Sequence, residues 1–276
     1  MFHFSKWCVA LAVLVVASCS SNEQSEGPSP GDPLPALRAV ADMEGGGRIV
    51  DSAGREVLLR GVNVNAFVEY WHYDEELFTV YPFTASDADR IASMGWTLVR
   101  LLLSWSRVEP RPGEYDEEYL DEIADAVGLL RARGIYTLID LHQDAWNATL
   151  AAPPDESCSD GSRPAGGWDG APGWATFDDD QPRCEAGPRE LTPAVRAAWQ
   201  AWLDDMQAGG GVGIRTRYVD MFAHVVARFA NDDAVAGFDV MNEPNVFGEA
   251  EDAKLSSFYE DALAAIIDLA EDNGGW

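Results

Sequence analysis

The chain has 276 residues, 47% of them hydrophobic, which fits one large domain with a substantial core. Asp and Glu outnumber Lys and Arg 47 to 19, giving a net charge of −28. A surface of that sign argues against nucleic acid as a partner, because phosphate binding needs clustered cations; a solvated acidic surface is the simpler reading.

The first residues read as a leader. MFHFSK is followed by the apolar run WCVALAVLVVAS (7–18), too short to cross a bilayer as a mature helix. VASC (16–19) resembles a bacterial lipobox, in which cleavage leaves Cys19 as the lipidated first residue; an ordinary signal peptide with an incidental cysteine is the alternative. Residues 20–45, rich in Pro, Gly and Ser, suit a flexible tether, with the folded body over 46–276. The expected location is the bacterial cell envelope, held to a membrane by the lipid. Ser20 resembles the pattern sorted to an outer membrane.

Further along, GRIVDSAGREVLLRG (47–61) predicts a hairpin turning at 52–54, and 61–66 a strand. Residues 84–95 open with capping residues and close on Gly, as a short helix should. TLVRLLLSW (97–105) is an apolar strand broken only by Arg100. Apolar residues at 120, 123, 124, 127 and 130 give a helix over 117–134, and YTLIDLH (136–142) is a further strand. A long polar loop over 145–190 holds Cys158 and Cys184, which in an exported chain are expected to pair. Helices follow near 193–207 and 215–230, then the strand GFDVMNE (237–243) and an amphipathic helix over 255–271. Alternating helices and near-continuous apolar strands describe a parallel sheet covered by helices. A doubly wound sheet would offer a glycine-rich phosphate turn after its first strand, and GVNVNAF has none, so a TIM-type barrel is expected.

Several apolar strands carry polar groups at one end: Asn63 and Asn65, Arg100 and Trp105, His142 and Asp144, Asn242 and Glu243. Each alone has a bland explanation as a solvated or satisfied residue. Together they suit glycosidic bond cleavage, which needs a proton donor and a second carboxylate about 5–5.5 Å away in retaining enzymes. An adjacent amide can hold a sugar hydroxyl, an Arg can keep a carboxylate ionised, and loop aromatics such as Trp71, Trp105, Trp146, Trp168 and Trp174 can face sugar rings.

RGVNVN, LVRLLLSWSRVEPRPGEYDEEYLD, LIDLHQDAW, GAPGWATFD and FDVMNEPN resemble glycoside hydrolase family 5, and within it the endoglycoceramidase branch, from about residue 47 onward. The resemblance implies a (β/α)8 barrel and retaining hydrolysis that frees an oligosaccharide from ceramide. It implies Glu243 as general acid/base with Asn242 beside it, Arg100 supporting the nucleophile, His142 and Asp144 binding the first sugar, and Trp174 lining its subsite. No cofactor or metal is expected, and a monomer is.

Four barrel strands are counted, whereas the family carries its nucleophile on the seventh. The expectation is therefore a barrel truncated to about its first four βα units, with the nucleophile missing, Arg100 lacking its carboxylate, and little or no turnover. Three other readings stay open: a β-1,4-glucanase or mannanase of the same family, a non-catalytic lipid-anchored glycan-binding protein, and a metal hydrolase using His142 and Asp144.

Overall fold

The computed structural model describes residues 33–41, 46–72, 74 and 80–272. The expected leader and Cys19 lie outside them. Strands β1 (Leu37–Ala41) and β2 (Gly47–Asp51) form an antiparallel pair. The turn at 52–54 is present, and the chain returns to bridge Val50 with Glu56. The full partner of β2 is nevertheless β1, which falls in the segment expected to be a tether. Leu34 is buried and Leu37 packs against the core, while Tyr136 donates its hydroxyl proton to the Pro35 carbonyl at 2.7 Å. Those anchors fix what composition alone described as flexible.

Strand β3 (Gly61–Phe67) begins the main sheet. Helix α1 (Ala85–Ser93) starts at Thr84, whose backbone N–H and hydroxyl both donate to Asp87. Strand β4 (Leu98–Ser104) runs straight into the one-turn helix α2 (Trp105–Val108), so Trp105 is a buried helical residue rather than a strand end. Helix α3 (Glu117–Arg131) is capped by the Asp116 carboxylate, which accepts from the Tyr119 N–H at 3.0 Å; Leu120, Ile123, Val127 and Leu130 form its buried stripe.

Strand β5 (Tyr136–His142) leads into the long loop. There the two-residue strands β6 (Arg163–Pro164) and β7 (Cys184–Glu185) pair beside the disulfide Cys158–Cys184. Helices α4 (Pro193–Leu203) and α5 (Ile214–Phe229) come next, then strand β8 (Val235–Asp239) and helix α6 (Glu249–Asp272). The strand expected over 237–243 thus ends at Asp239, and Asn242 and Glu243 stand in the turn beyond it. Helix α6 begins before the expected 255 and carries Glu249 and Glu251 in its first turn.

The four strands lie parallel in the order β3-β4-β5-β8. Successive strands are neighbours and the order never reverses, as in a barrel and unlike a doubly wound sheet. Because side chains alternate across a strand, Val99, Leu101 and Leu103 of β4 and Ile139 and Leu141 of β5 enter the helix-covered core. The residues between them face the other way: Arg100, Asp140 and His142. Trp105, Trp146, Trp199, Trp202, Tyr218 and Phe258 make an edge-to-face aromatic cluster behind the strand ends.

Candidate active site

Arg100 organises the polar face of the sheet. One of its terminal nitrogens lies 3.0 Å from Asp140 Oδ1 on the neighbouring strand. Its Nε and Nη2 donate to Asp239 Oδ2 at 3.2 and 2.8 Å, and Nη2 also donates to Asn242 Oδ1 at 2.9 Å. Arg100 is therefore paired by two carboxylates, correcting the expectation that it would stand without one. Breaking a paired, partly buried charge leaves its partners uncompensated, so the group ties β4, β5 and the end of β8 together.

His142 sits between two acids. Its Nδ1 is 2.8 Å from Asp140 Oδ2, and its Nε2 is 3.3 Å from Asp144 Oδ2. Burial resists charge on the imidazole, but the hydrogen bonds and charges of Asp140 and Asp144 outweigh it and lift the pKa to about 9. At neutral pH His142 is a cation donating from both nitrogens. Burial raises the Asp140 carboxyl, while His142 and Arg100 pull it back. Asp144 is held from its other side by Arg189, at 2.5 Å, and the Arg189 guanidinium lies 3.8 Å over the Trp168 ring.

Gln143 fixes the acid. Its side-chain amide donates to the carbonyls of Asn242 and Glu243 at 2.5 and 3.0 Å. In return Asn242 Nδ2 donates to the Gln143 carbonyl at 3.0 Å, and the Asn242 N–H to Leu141 at 3.1 Å. These bonds hold Glu243 at φ 40, a left-handed conformation costly for a residue with a side chain. Glu243 itself is exposed. Asn242 is buried, its Oδ1 aimed at Arg100.

The Asp144 N–H donates to the Asp169 carbonyl at 2.7 Å, and Asp169 in turn lines a cleft of about 510 Å³ together with Tyr70, Trp71, Trp168, Asn147 and Ser106 among others. Asp169 is fully buried; it accepts from Ser104 Oγ at 2.7 Å and from the Glu69 N–H at 3.0 Å, and burial lifts its pKa to about 6. Trp174 stands apart from this lining. Its indole N–H donates to the Glu109 carbonyl at 3.0 Å and its ring edges onto Trp105 at 5.4 Å. Asn63 and Asn65 are exposed on the polar face of β3. The structure thus brings Arg100, His142, Asp144 and Asn242 into one bonded array with Glu243 at its rim, and sets Trp174 behind it. Sequence reading missed Asp140, Asp239, Gln143 and Arg189. A lone Asp inside an apolar strand, in LIDLH and again in GFDV, was the available signal for the first two. Among the described residues no group of three or more His, Cys, Asp or Glu could hold a metal.

The family model for Cellulase (glycosyl hydrolase family 5) matches residues 50–273. The chain belongs to glycosyl hydrolase family 5. Within the family, it is 30% identical to endoglycoceramidase I of Rhodococcus hoagii over 78% of this chain and 38% of that protein. It is 26% identical to the endoglycoceramidase of Cyanea nozakii over 71% of this chain and 40% of the relative. A crystal structure of endogalactoceramidase superposes with a TM-score of 0.81 at 39% identity, over 88% of this chain and 52% of that one. The endo-glycoceramidase II of Rhodococcus sp. in complex with ganglioside GM3 gives 0.63 at 31%, over 79% and 48%. The chain spans about half or less of the length of these relatives. Its four-stranded parallel sheet is part of a TIM barrel.

Proposed function

We propose that this chain supplies the acid/base side of a retaining glycoside hydrolase that cleaves the bond between oligosaccharide and ceramide in glycosphingolipids. One observation carries the reading: Gln143 bolts the Asn242–Glu243 turn to the end of β5, beside the Arg100–Asp239–Asp140–His142 array. Glu243 protonates the leaving oxygen and later takes a proton from water. Asn242 has one N–H spent on Gln143 and its oxygen on Arg100, so its second N–H is the group that reaches a sugar hydroxyl. His142, charged and locked between two acids, holds the Asp144 carboxylate through its Nε2. The glycolipid substrate is supported by the names of the relatives and by the ganglioside complex.

The carboxylates that follow Glu243 as Glu249, Glu251 and Glu260 lie on α6 rather than at a strand end. We assign none of them as the attacking group, and little turnover is expected from the purified 276-residue chain. Incubation with a fluorescent glycosphingolipid, with soluble β-glucan as the comparison substrate, tests this. Turnover abolished by Glu243→Gln would mean that these residues already contain a nucleophile. Faster hydrolysis of the glucan would overturn the glycolipid assignment.

We also propose export and lipidation at Cys19, with membrane attachment in the bacterial envelope. Support comes from the lipobox-like VASC and the apolar run before it; no helix among the described residues is long and apolar enough to cross a membrane. Labelling with radioactive palmitate should mark the chain and be lost in Cys19→Ala.

A further inference from the structure

Beyond the cleft lies a second basin of about 420 Å³ that shares Tyr70, Trp71, His72 and Trp168 with it. Both volumes fall in the range of small-ligand sites. The outer wall of the second basin is the short β6–β7 hairpin, which contributes Arg163 and Glu185. The disulfide Cys158–Cys184 closes this hairpin, so the wall has a fixed base. Its floor includes Gly167. A Cβ there would lie 2.5 Å from the Ala148 carbonyl oxygen and 2.5 Å from Trp71 Cγ, so glycine alone lets the Trp71 indole lie against the backbone. Trp168 is steadied from the catalytic side, through Arg189 to Asp144 and on to His142. The two basins and the strand-end array are thus mechanically connected.

We propose that this second basin is a distal subsite for an uncharged pyranose unit of the glycan, remote from the scissile bond. The inference rests on the glycoside hydrolase reading above. Two indoles offer flat apolar faces, and the hairpin offers hydrogen-bonding groups at the rim, a combination that suits a sugar ring. Arg163 and Glu185 are bonded to each other at 2.8 Å, so the wall carries no net charge. Glu69 and Asp169 line the adjoining cleft, which disfavours an anionic sugar.

Isothermal titration of the 276-residue chain with lactose and with lacto-N-tetraose, a neutral tetrasaccharide built on lactose, tests this. The tetrasaccharide should bind roughly five- to tenfold more tightly, the increment expected of one added hydrogen bond at the hairpin rim. Arg163→Ala with Glu185→Ala should bring the tetrasaccharide to within about twofold of lactose. Trp71→Ala should weaken both ligands, since its ring lines both basins, and circular dichroism of each variant reports folding. Reducing the Cys158–Cys184 disulfide should lower the tetrasaccharide increment in the unmutated chain, an arm that needs no substitution. Lactose binding with no increment, or an increment untouched by the hairpin changes, overturns the distal subsite alone. An increment that appears instead with octyl glucoside assigns the basin to the lipid and also overturns it. Failure of every saccharide to bind overturns the subsite and the glycoside reading of this chain together.

Discussion

His142 is held in its charged form by two acids, and that makes the fold sensitive to alkali. Its pKa is lifted from 6.5 to about 9, so the folded state binds this proton more tightly than the unfolded chain does. The sign follows: the stabilisation is complete below pH 6.5 and disappears as pH rises through 9. A shift of that size corresponds to up to about 3 kcal/mol. Thermal melts of the chain should show a falling Tm between pH 7 and 10, and His142→Asn should flatten that slope; an unchanged slope would mean the proton is not held as described. Gln143 is the complementary test among neutral residues. Removing an amide that satisfies two carbonyls in a buried setting costs about 2 kcal/mol. Urea unfolding of Gln143→Ala should show that loss, and amide exchange at 242 and 243 should quicken as the left-handed turn at Glu243 relaxes.

At the scale of elements, the legible parts were those with strong periodicity. The stripe of α3, the apolar run of β4 and the sequence YTLIDLH of β5 each have one geometry that buries them, and each was found where expected. Strand β8 is shorter than its sequence predicts because the apolar pattern GFDVMNE continues past the point where the ladder stops. What ends the ladder is Gln143, a residue nearly a hundred positions earlier, which pulls 242 and 243 into a turn. No local pattern encodes that. Strand β1 likewise has no local signature, since its order comes from contacts made by Leu34 and Pro35 with distant residues. The site is legible as a set of polar residues on and just beyond apolar strands, but the two carboxylates that pair Arg100 are not, because Asp140 and Asp239 lie on different strands far apart in sequence. The long loop is the element most dependent on a covalent tie. Its disulfide spans a sequence separation of 26, which predicts about 3.5 kcal/mol from the restricted unfolded chain. Cys158→Ser with Cys184→Ser should lower the Tm and admit protease between 155 and 183. Unchanged proteolysis there would show that the two-residue ladder and the Arg163–Glu185 pair suffice.

Across the whole molecule two tendencies oppose each other. Strands β3 and β8 are the edges of the sheet, and among the described residues neither has a second neighbour. Open parallel edges expose N–H and C=O groups that can pair with another chain. The net charge of −28 works against such contact, because two copies repel at the distance where strands begin to pair. Repulsion between exposed charges reaches about 10 Å at 0.1 M salt and about 3 Å at 1 M. Salt therefore decides which tendency wins. Sedimentation velocity of the 276-residue chain should show a single monomeric species at low ionic strength and growing association as NaCl is raised to 1 M. Association that weakens with salt would instead assign the contact to ion pairs, and a monomer at every salt concentration would mean that the strand edges are shielded from partners by the protein itself.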